Sequence, residues 1–393
     1  MPNDSRAPKD AQQADGDALD AAGGAMDARS IKRKPVRAGI IGCGMIAHAY
    51  HASLQHYSEI ELVGVADLLP DKAAQFGEEL ALPSYASPES LLSDDSIELV
   101  FNLTTTTAHS DVLKDCLAAG KSVYTEKPLS LLRDDAQELI TLAKRNGLRL
   151  ASAPATFMGE AQQTAAKLIR QGRLGQVRLV YAEVNHGRVE SWHPAPQQFY
   201  ECGLLFDMGP YPLTLLASMF GPVSRVEAAE QTLLPERHTR SGSSFSIPKP
   251  DFVVALLVYA SGPVARLTVC GYVDRLKKQG QVVEFHGDEG SISLSHSGRF
   301  DATVEIAPFN QIYQPVDLLR QPENLFPITG MDYARGPIDM ALAMREGWQH
   351  RASAEMAAHV IDVMASIEEA GRQGTPVEVK STFTPPEPLP WAR

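Results

Sequence analysis

Polar and apolar positions follow two different textures along the chain. From Val36 to about residue 155, short apolar runs alternate with amphipathic stretches. The runs "VRAGIIG", "ELVGVAD", "IELVFNL", "KSVYTE" and "LRLASAP" read as strands. Between them fall a helix from about Met45 to His56 and the helices "PDKAAQFGEEL", "AHSDVLKDCLAAG" and "DDAQELITLAKRNG". Pro70 and Asp71 suit a helical first turn, and Gly120 and Gly147 suit helix ends. Strands alternating with helices at this spacing predict a doubly wound parallel sheet over residues 35–155.

Beyond about residue 156 strands dominate. One helix, "AQQTAAKLIRQG", comes first. Then follow "VRLVYAEVN", "VSRVEAAEQ", "FVVALLVYA", "ARLTVCGYV", "QVVEFHG" and "SISLS", interrupted by the helix "YPLTLLASMF". A long helix, "SAEMAAHVIDVMASIEEAG", and a Pro-rich strap, "FTPPEPLP", close the chain. This predicts an α+β second domain over 156–393, with an open, mostly antiparallel sheet and helices on one face. The overall class is α/β. Residues 1–34 are rich in Ala, Asp and Gly and cannot bury enough surface to offset their ordering entropy. They read as a disordered tail without the apolar core of a secretory signal.

Composition narrows the partners. A net charge of −12 argues against nucleic acid and against an anionic membrane surface. No apolar run reaches the length of a membrane span. The four cysteines, Cys43, Cys116, Cys202 and Cys270, show neither paired nor zinc-type spacing. They read as reduced thiols of a cytoplasmic protein. His48 and His51 stand three residues apart but lack a third ligand, so no metal site is expected.

The first strand ends in "GIIGCGMIA". Gly42 permits the tight turn, Gly44 lets backbone approach a pyrophosphate, and Ala47 lets helix and strand pack closely. The helix N-terminus adds N–H donors and positive dipole. Asp67 closes the second strand 20 residues after Ala47. Its carboxylate is placed to accept from ribose hydroxyls and to repel a 2′-phosphate. NAD is therefore the expected cofactor, with NADP disfavoured.

With "GIIGCGMIA", "VADLLPDKA", "NLTTTTAH" and "YTEKPLS" in this order, the chain resembles the Gfo/Idh/MocA family of oxidoreductases. "GLLFDMGPYPLTLLASMFG" and "ASAEMAAHVIDVMASIEEAGRQGTPVEV" are similar to its second half. The resemblance runs from about Val36 onward and implies a Rossmann domain followed by an open-faced sheet carrying substrate and oligomer contacts. It implies that Lys127 of the Glu-Lys-Pro motif touches both substrate and nicotinamide, often from a cis Lys–Pro bond. Glu126 would help place the nicotinamide. The implied cofactor contacts are Gly42, Gly44, Met45, Ile46, Asp67, Thr104, His109, Glu126 and Lys127. A homo-oligomer, dimer or tetramer, is also implied.

Three departures stand out. "NLTTTTAH" has threonine where members often have proline. "ECG" replaces a glycine triplet and brings Glu201 toward the substrate. Tyr211 stands four residues after Asp207, where histidine is usual. The residue in that slot must take the proton of a hydroxyl, and a tyrosine, with an ordinary pKa of about 10, needs help from Lys127. Lys127, Asp207 and Tyr211 form the expected catalytic set. Trp192 and His193 of "ESWHPAPQQFY" are added as substrate ligands. The reading is an NAD-dependent oxidoreductase acting on a secondary hydroxyl of a sugar, glycoside or cyclitol. Two alternatives stay open: glycoside cleavage by transient oxidation, with Glu201 or His193 as further base, and a non-catalytic cofactor-binding regulator.

Overall fold

Strand β1 (Val36–Ile41) is buried at almost every position, as a strand covered on both faces must be. It leads through a glycine turn into α1 (Met45–Leu54). Then come β2 (Ile60–Ala66), α2 (Pro70–Leu80), the short α3 (Pro88–Leu92) and β3 (Leu99–Asn102). This half ends with α4 (His109–Ala118), β4 (Ser122–Thr125), α5 (Arg133–Arg145) and β5 (Leu150–Ser152). The strands form one sheet in the order β2-β1-β3-β4-β5, and every pair is parallel. Helix ends follow local chemistry. Pro70 and Asp71 open α2, and α5 carries Asp134 and Asp135 in its first turn and Lys144 and Arg145 in its last, complementing its dipole.

The computed structural model describes residues 34–273, 280–321 and 329–393. The expected tail lies outside these residues, apart from Lys34. The expected boundary near residue 155 falls between β5 and the turn entering α6 (Glu160–Arg170).

The second half continues with β6 (Val177–Asn185), α7 (Gln197–Cys202), α8 (Leu204–Met208) and α9 (Pro210–Phe220). Strands β7 (Val223–Gln231), β8 (Glu236–His238), β9 (Ser244–Ser246), β10 (Phe252–Tyr259) and β11 (Val264–Cys270) follow. After them come β12 (Val283–Gly287), β13 (Gly290–Leu294), β14 (Val304–Pro308) and β15 (Gln314–Val316). Helices α10 (Arg335–Glu346) and α11 (Ala354–Gln373) and the short β16 (Val377–Glu378) complete it. Nine strands make the order β15-β14-β13-β12-β6-β11-β10-β7-β16, antiparallel except for β6 with β11. Along β10, Val253, Ala255, Leu257 and Tyr259 are buried while Leu256 is exposed. That alternation marks one covered and one open face.

Two features tie the halves together. Helix α11 packs on β7 and α9 and also on α5 and β5. At the edge of the parallel sheet, the Ser152 N–H donates to the Ala352 carbonyl at 3.2 Å.

Candidate active site

Gly42 has φ +101°, and a Cβ there would lie 2.6 Å from the Leu103 main chain. Only glycine makes this turn without strain. Gly44 caps α1 in extended conformation, and no side chain caps the helix. A Cβ on Gly44 would meet nothing within 4 Å. The first turn, with Met45 exposed and Ile46 half-buried, therefore keeps uncapped N–H groups beside an open surface. That cradle fits a dinucleotide pyrophosphate. Asp67 closes β2 with its carboxylate already ordered: Oδ2 accepts from the Cys43 N–H at 2.8 Å and Oδ1 from the Leu69 N–H at 2.9 Å.

Beyond β3, the Thr104 hydroxyl donates to Asn102 Oδ1 at 2.7 Å. His109 was expected to touch cofactor, but its ring is buried between two main-chain carbonyls. Nδ1 lies 2.7 Å from the Pro128 oxygen and Nε2 3.3 Å from that of Thr104. Burial lowers its pKa. The ring braces the two loops against each other, and both its nitrogens already face protein.

β4 delivers the Glu-Lys-Pro motif, and the Lys127–Pro128 bond is cis. Lys127 Nζ donates to Asp207 Oδ1 at 2.6 Å and to the Asp207 carbonyl at 2.7 Å. It also lies 5.4 Å from the centroid of the Tyr211 ring. Glu126 Oε1 accepts from the Tyr50 hydroxyl at 2.7 Å, and its Oε2 accepts from the Lys127 N–H at 3.1 Å. Asp207 comes from α8, and Tyr211 from the first turn of α9 between Pro210 and Pro212. So the "GPYP" run is a helix start whose Tyr211 also lines the cleft.

Burial alone would lower the Lys127 pKa, but the charges of Asp207, Tyr211 and Glu126 outweigh it and the net shift is upward. Lys127 stays an ammonium. Burial raises the Tyr211 phenol more than Lys127 lowers it, so its pKa is raised overall. The expected acidification of Tyr211 is thus reversed, because the lysine is engaged by Asp207 while the ring is desolvated.

The cleft also gathers residues that the sequence reading passed over. Tyr50 comes from α1, and Met331, Asp332 and Tyr333 come from the segment before α10. Tyr50 and Tyr333 pack ring to ring at 5.3 Å. Asp332 accepts from the Tyr57 hydroxyl and lies 3.6 Å from Arg335 Nε. No strand end marks this segment, which follows Gly330 at φ +83°. Its sequence signal is an Asp–Tyr pair just before a helix.

Trp192 and His193 are not among the residues lining this cleft. His193 is buried against Phe199, ring centroids 4.7 Å apart, and its Nδ1 accepts from the Ala195 N–H. Trp192, 39% exposed, packs edge-on to His186. The loop folds the histidine onto its own phenylalanine. Glu201 lies exposed on α7. The four cysteines are unpaired. Among the described residues, no group of three His, Cys, Asp or Glu is placed to hold a metal ion. No helix there is long and apolar enough to cross a membrane.

Comparison with known proteins agrees with this architecture. Residues 36–153 match the oxidoreductase family model with an NAD-binding Rossmann fold, and residues 162–293 match the GFO/IDH/MocA C-terminal domain. The chain is 29% identical over 255 residues to trans-1,2-dihydrobenzene-1,2-diol dehydrogenase of Macaca fascicularis, covering 63% of this chain and 71% of that one. The Mus musculus enzyme of that name is 25% identical over 309 residues, covering 76% and 82%. Levoglucosan dehydrogenase in complex with NADH and levoglucosan superposes with a TM-score of 0.77 at 21% identity, covering 88% of this chain and all (100%) of that one. Aldose-aldose oxidoreductase from Caulobacter crescentus superposes with a TM-score of 0.75 at 20% identity, with coverage of 88% and 100%. The motifs, the two domain matches and the shared fold place this chain in the Gfo/Idh/MocA family of NAD-binding oxidoreductases.

Proposed function

We propose that the protein is a dehydrogenase oxidising a secondary hydroxyl of a cyclic polyol or sugar, with NAD preferred over NADP. The observation that carries the reading is the Lys127–Asp207–Tyr211 constellation beside the glycine-loop sheet. Bound NAD would supply the hydride acceptor. Gly42, Gly44, Met45 and Ile46 would hold its pyrophosphate, and Asp67 its ribose. The Asp67 carboxylate, with no cation among Leu68 and Leu69, disfavours a 2′-phosphate.

Lys127 orients the substrate hydroxyl and stabilises negative charge developing on its oxygen. Asp207 fixes the ammonium. Tyr211 exchanges the hydroxyl proton. Asp332 and Glu126 line the same cleft, held by Tyr57 and Tyr50. Relatives are named for a cyclic 1,2-diol and for levoglucosan, which supports a ring substrate bearing hydroxyls. Elimination chemistry would need a further base, whereas dehydrogenation uses only Lys127, Asp207 and Tyr211, which hydrogen bonding and ring proximity already bring together. Dehydrogenation without elimination is therefore retained.

The test is Lys127→Met assayed with NAD across a polyol and glycoside panel. Turnover should fall by about 10²- to 10⁴-fold, while NAD affinity stays within about one order of magnitude. Undiminished turnover, or equal use of NAD and NADP by the unmutated protein, would overturn the assignment concerned.

A further inference from the structure

Around Lys127, the charged groups already have protein partners. Glu126 accepts from Tyr50, Asp332 from Tyr57, and Lys127 donates twice to Asp207. Thr156 differs. It stands on the turn Thr156–Met158 between β5 and α6, lines the cleft and is 6% exposed. Its Oγ1 is buried and has no hydrogen-bond partner among the described residues.

A buried hydroxyl without a partner carries its full desolvation penalty. The turn itself does not need that hydroxyl. Met158 and Gly159 donate their N–H groups to the Ala155 and Thr156 carbonyls. Valine has the same branched shape and lacks only the polar atom. Such a group is compensated when a ligand brings a polar atom to it.

On the polyol reading above, we infer that Thr156 is a specificity-determining residue: a turn about its χ1 brings the covered hydroxyl to the cleft that the residue lines, where it pairs with a second hydroxyl of the bound substrate. The substrate class is then a diol or longer polyol. A simple monoalcohol leaves Thr156 unpaired, and sites built to hydrogen-bond a hydroxyl discriminate strongly against analogues that lack it.

The experiment compares the unmutated protein with Thr156→Val and Thr156→Ser, and with Thr156→Ala should valine not pack. The probes are myo-inositol, D-glucose, D-xylose and their monodeoxy analogues, titrated calorimetrically in the presence of NAD. Thr156→Val should bind at least one parent polyol about 10-fold or more weakly, yet leave one deoxy analogue unaffected. Thr156→Ser should restore binding to the parent. The free Thr156→Val protein should melt no lower than the unmutated one, because an unpaired polar group has gone. A lower melting temperature with all ligands weakened alike would make Thr156 a structural residue and sink the inference. Unchanged binding of parent and deoxy forms would sink it too, while leaving the polyol reading intact. An unmutated protein that binds none of the probes would overturn the polyol reading and this inference together.

Discussion

Tyr211 experiences two opposed influences, and their balance sets the direction of its chemistry. Burial favours the neutral phenol, Lys127 favours the phenolate less strongly, and Glu126, Tyr333 and Asp207 act on the side of burial. At neutral pH the resting residue is therefore a proton donor, suited to carbonyl reduction. Alcohol oxidation needs the phenolate, whose population grows as pH rises toward the elevated pKa. The oxidative kcat should climb continuously on the alkaline side, past about pH 9, while carbonyl reduction is already at full rate near neutrality. Tyr211→Phe should lower both directions by about 10²-fold or more. A flat oxidative profile, or a fully active phenylalanine variant, would remove Tyr211 from proton transfer. Such a reversal was not legible from the motif, because pKa depends on how deeply the ring is buried.

Between elements, the site rests on a buried charge network that no local pattern announces. Arg237 of β8 is fully buried. It donates to Glu190 at 2.9 Å, to the Tyr200 hydroxyl at 2.8 Å, to the Gly271 carbonyl and to Asp251. One guanidinium thus fastens the 186–203 loop, the β8–β9 hairpin and the ends of β10 and β11. α8, which carries Asp207, continues directly from that segment. Arg237→Met should strand Glu190 and Asp251 without their cation and destabilise by about 3–5 kcal/mol. Denaturant unfolding reads this directly, and a stability within about 0.5 kcal/mol of the unmutated protein would show the network to be dispensable. Helix α10 was likewise missed in the sequence. Its "RGP" start carries a glycine because a Cβ on Gly336 would lie 2.3 Å from the Tyr124 hydroxyl. A helix-breaking residue there serves close packing.

For the whole molecule, the open face of the nine-stranded sheet is the feature left uncovered among the described residues. Cross-strand neighbours Glu227, Leu256, Arg266, Tyr181 and Glu284 form one row across it. Arg266 pairs with Glu183 and lies over the Tyr181 ring at 4.2 Å. Leu256 is 42% exposed at the centre. We propose that a second copy covers this face, since a mixed apolar and ion-paired surface suits a homo-oligomeric interface. Leu256→Glu should shift the protein to a smaller species in sedimentation or light scattering without lowering NAD affinity. An unmutated protein that is monomeric at micromolar concentration would dismiss this interface.

The sequence by itself determined the features that depend on neighbours in the chain. The strand–glycine–helix turn needs Gly42, and Gly44 keeps the helix start open to a pyrophosphate. An acid at the end of β2, a lysine after β4, and an Asp and a Tyr four residues apart at a helix start all have local signatures. The alternating and continuous apolar runs likewise predicted the two sheets, because burial on one or both faces imposes its own period. Tertiary structure decided what those residues meet. Lys127 and Asp207 join across 80 positions of chain. Tyr50, Thr156 and the Asp332–Tyr333 pair enter the cleft from three separate places, and His193 packs on Phe199. Partner choice and depth of burial are set by packing between distant segments, and local residue type carries no record of either.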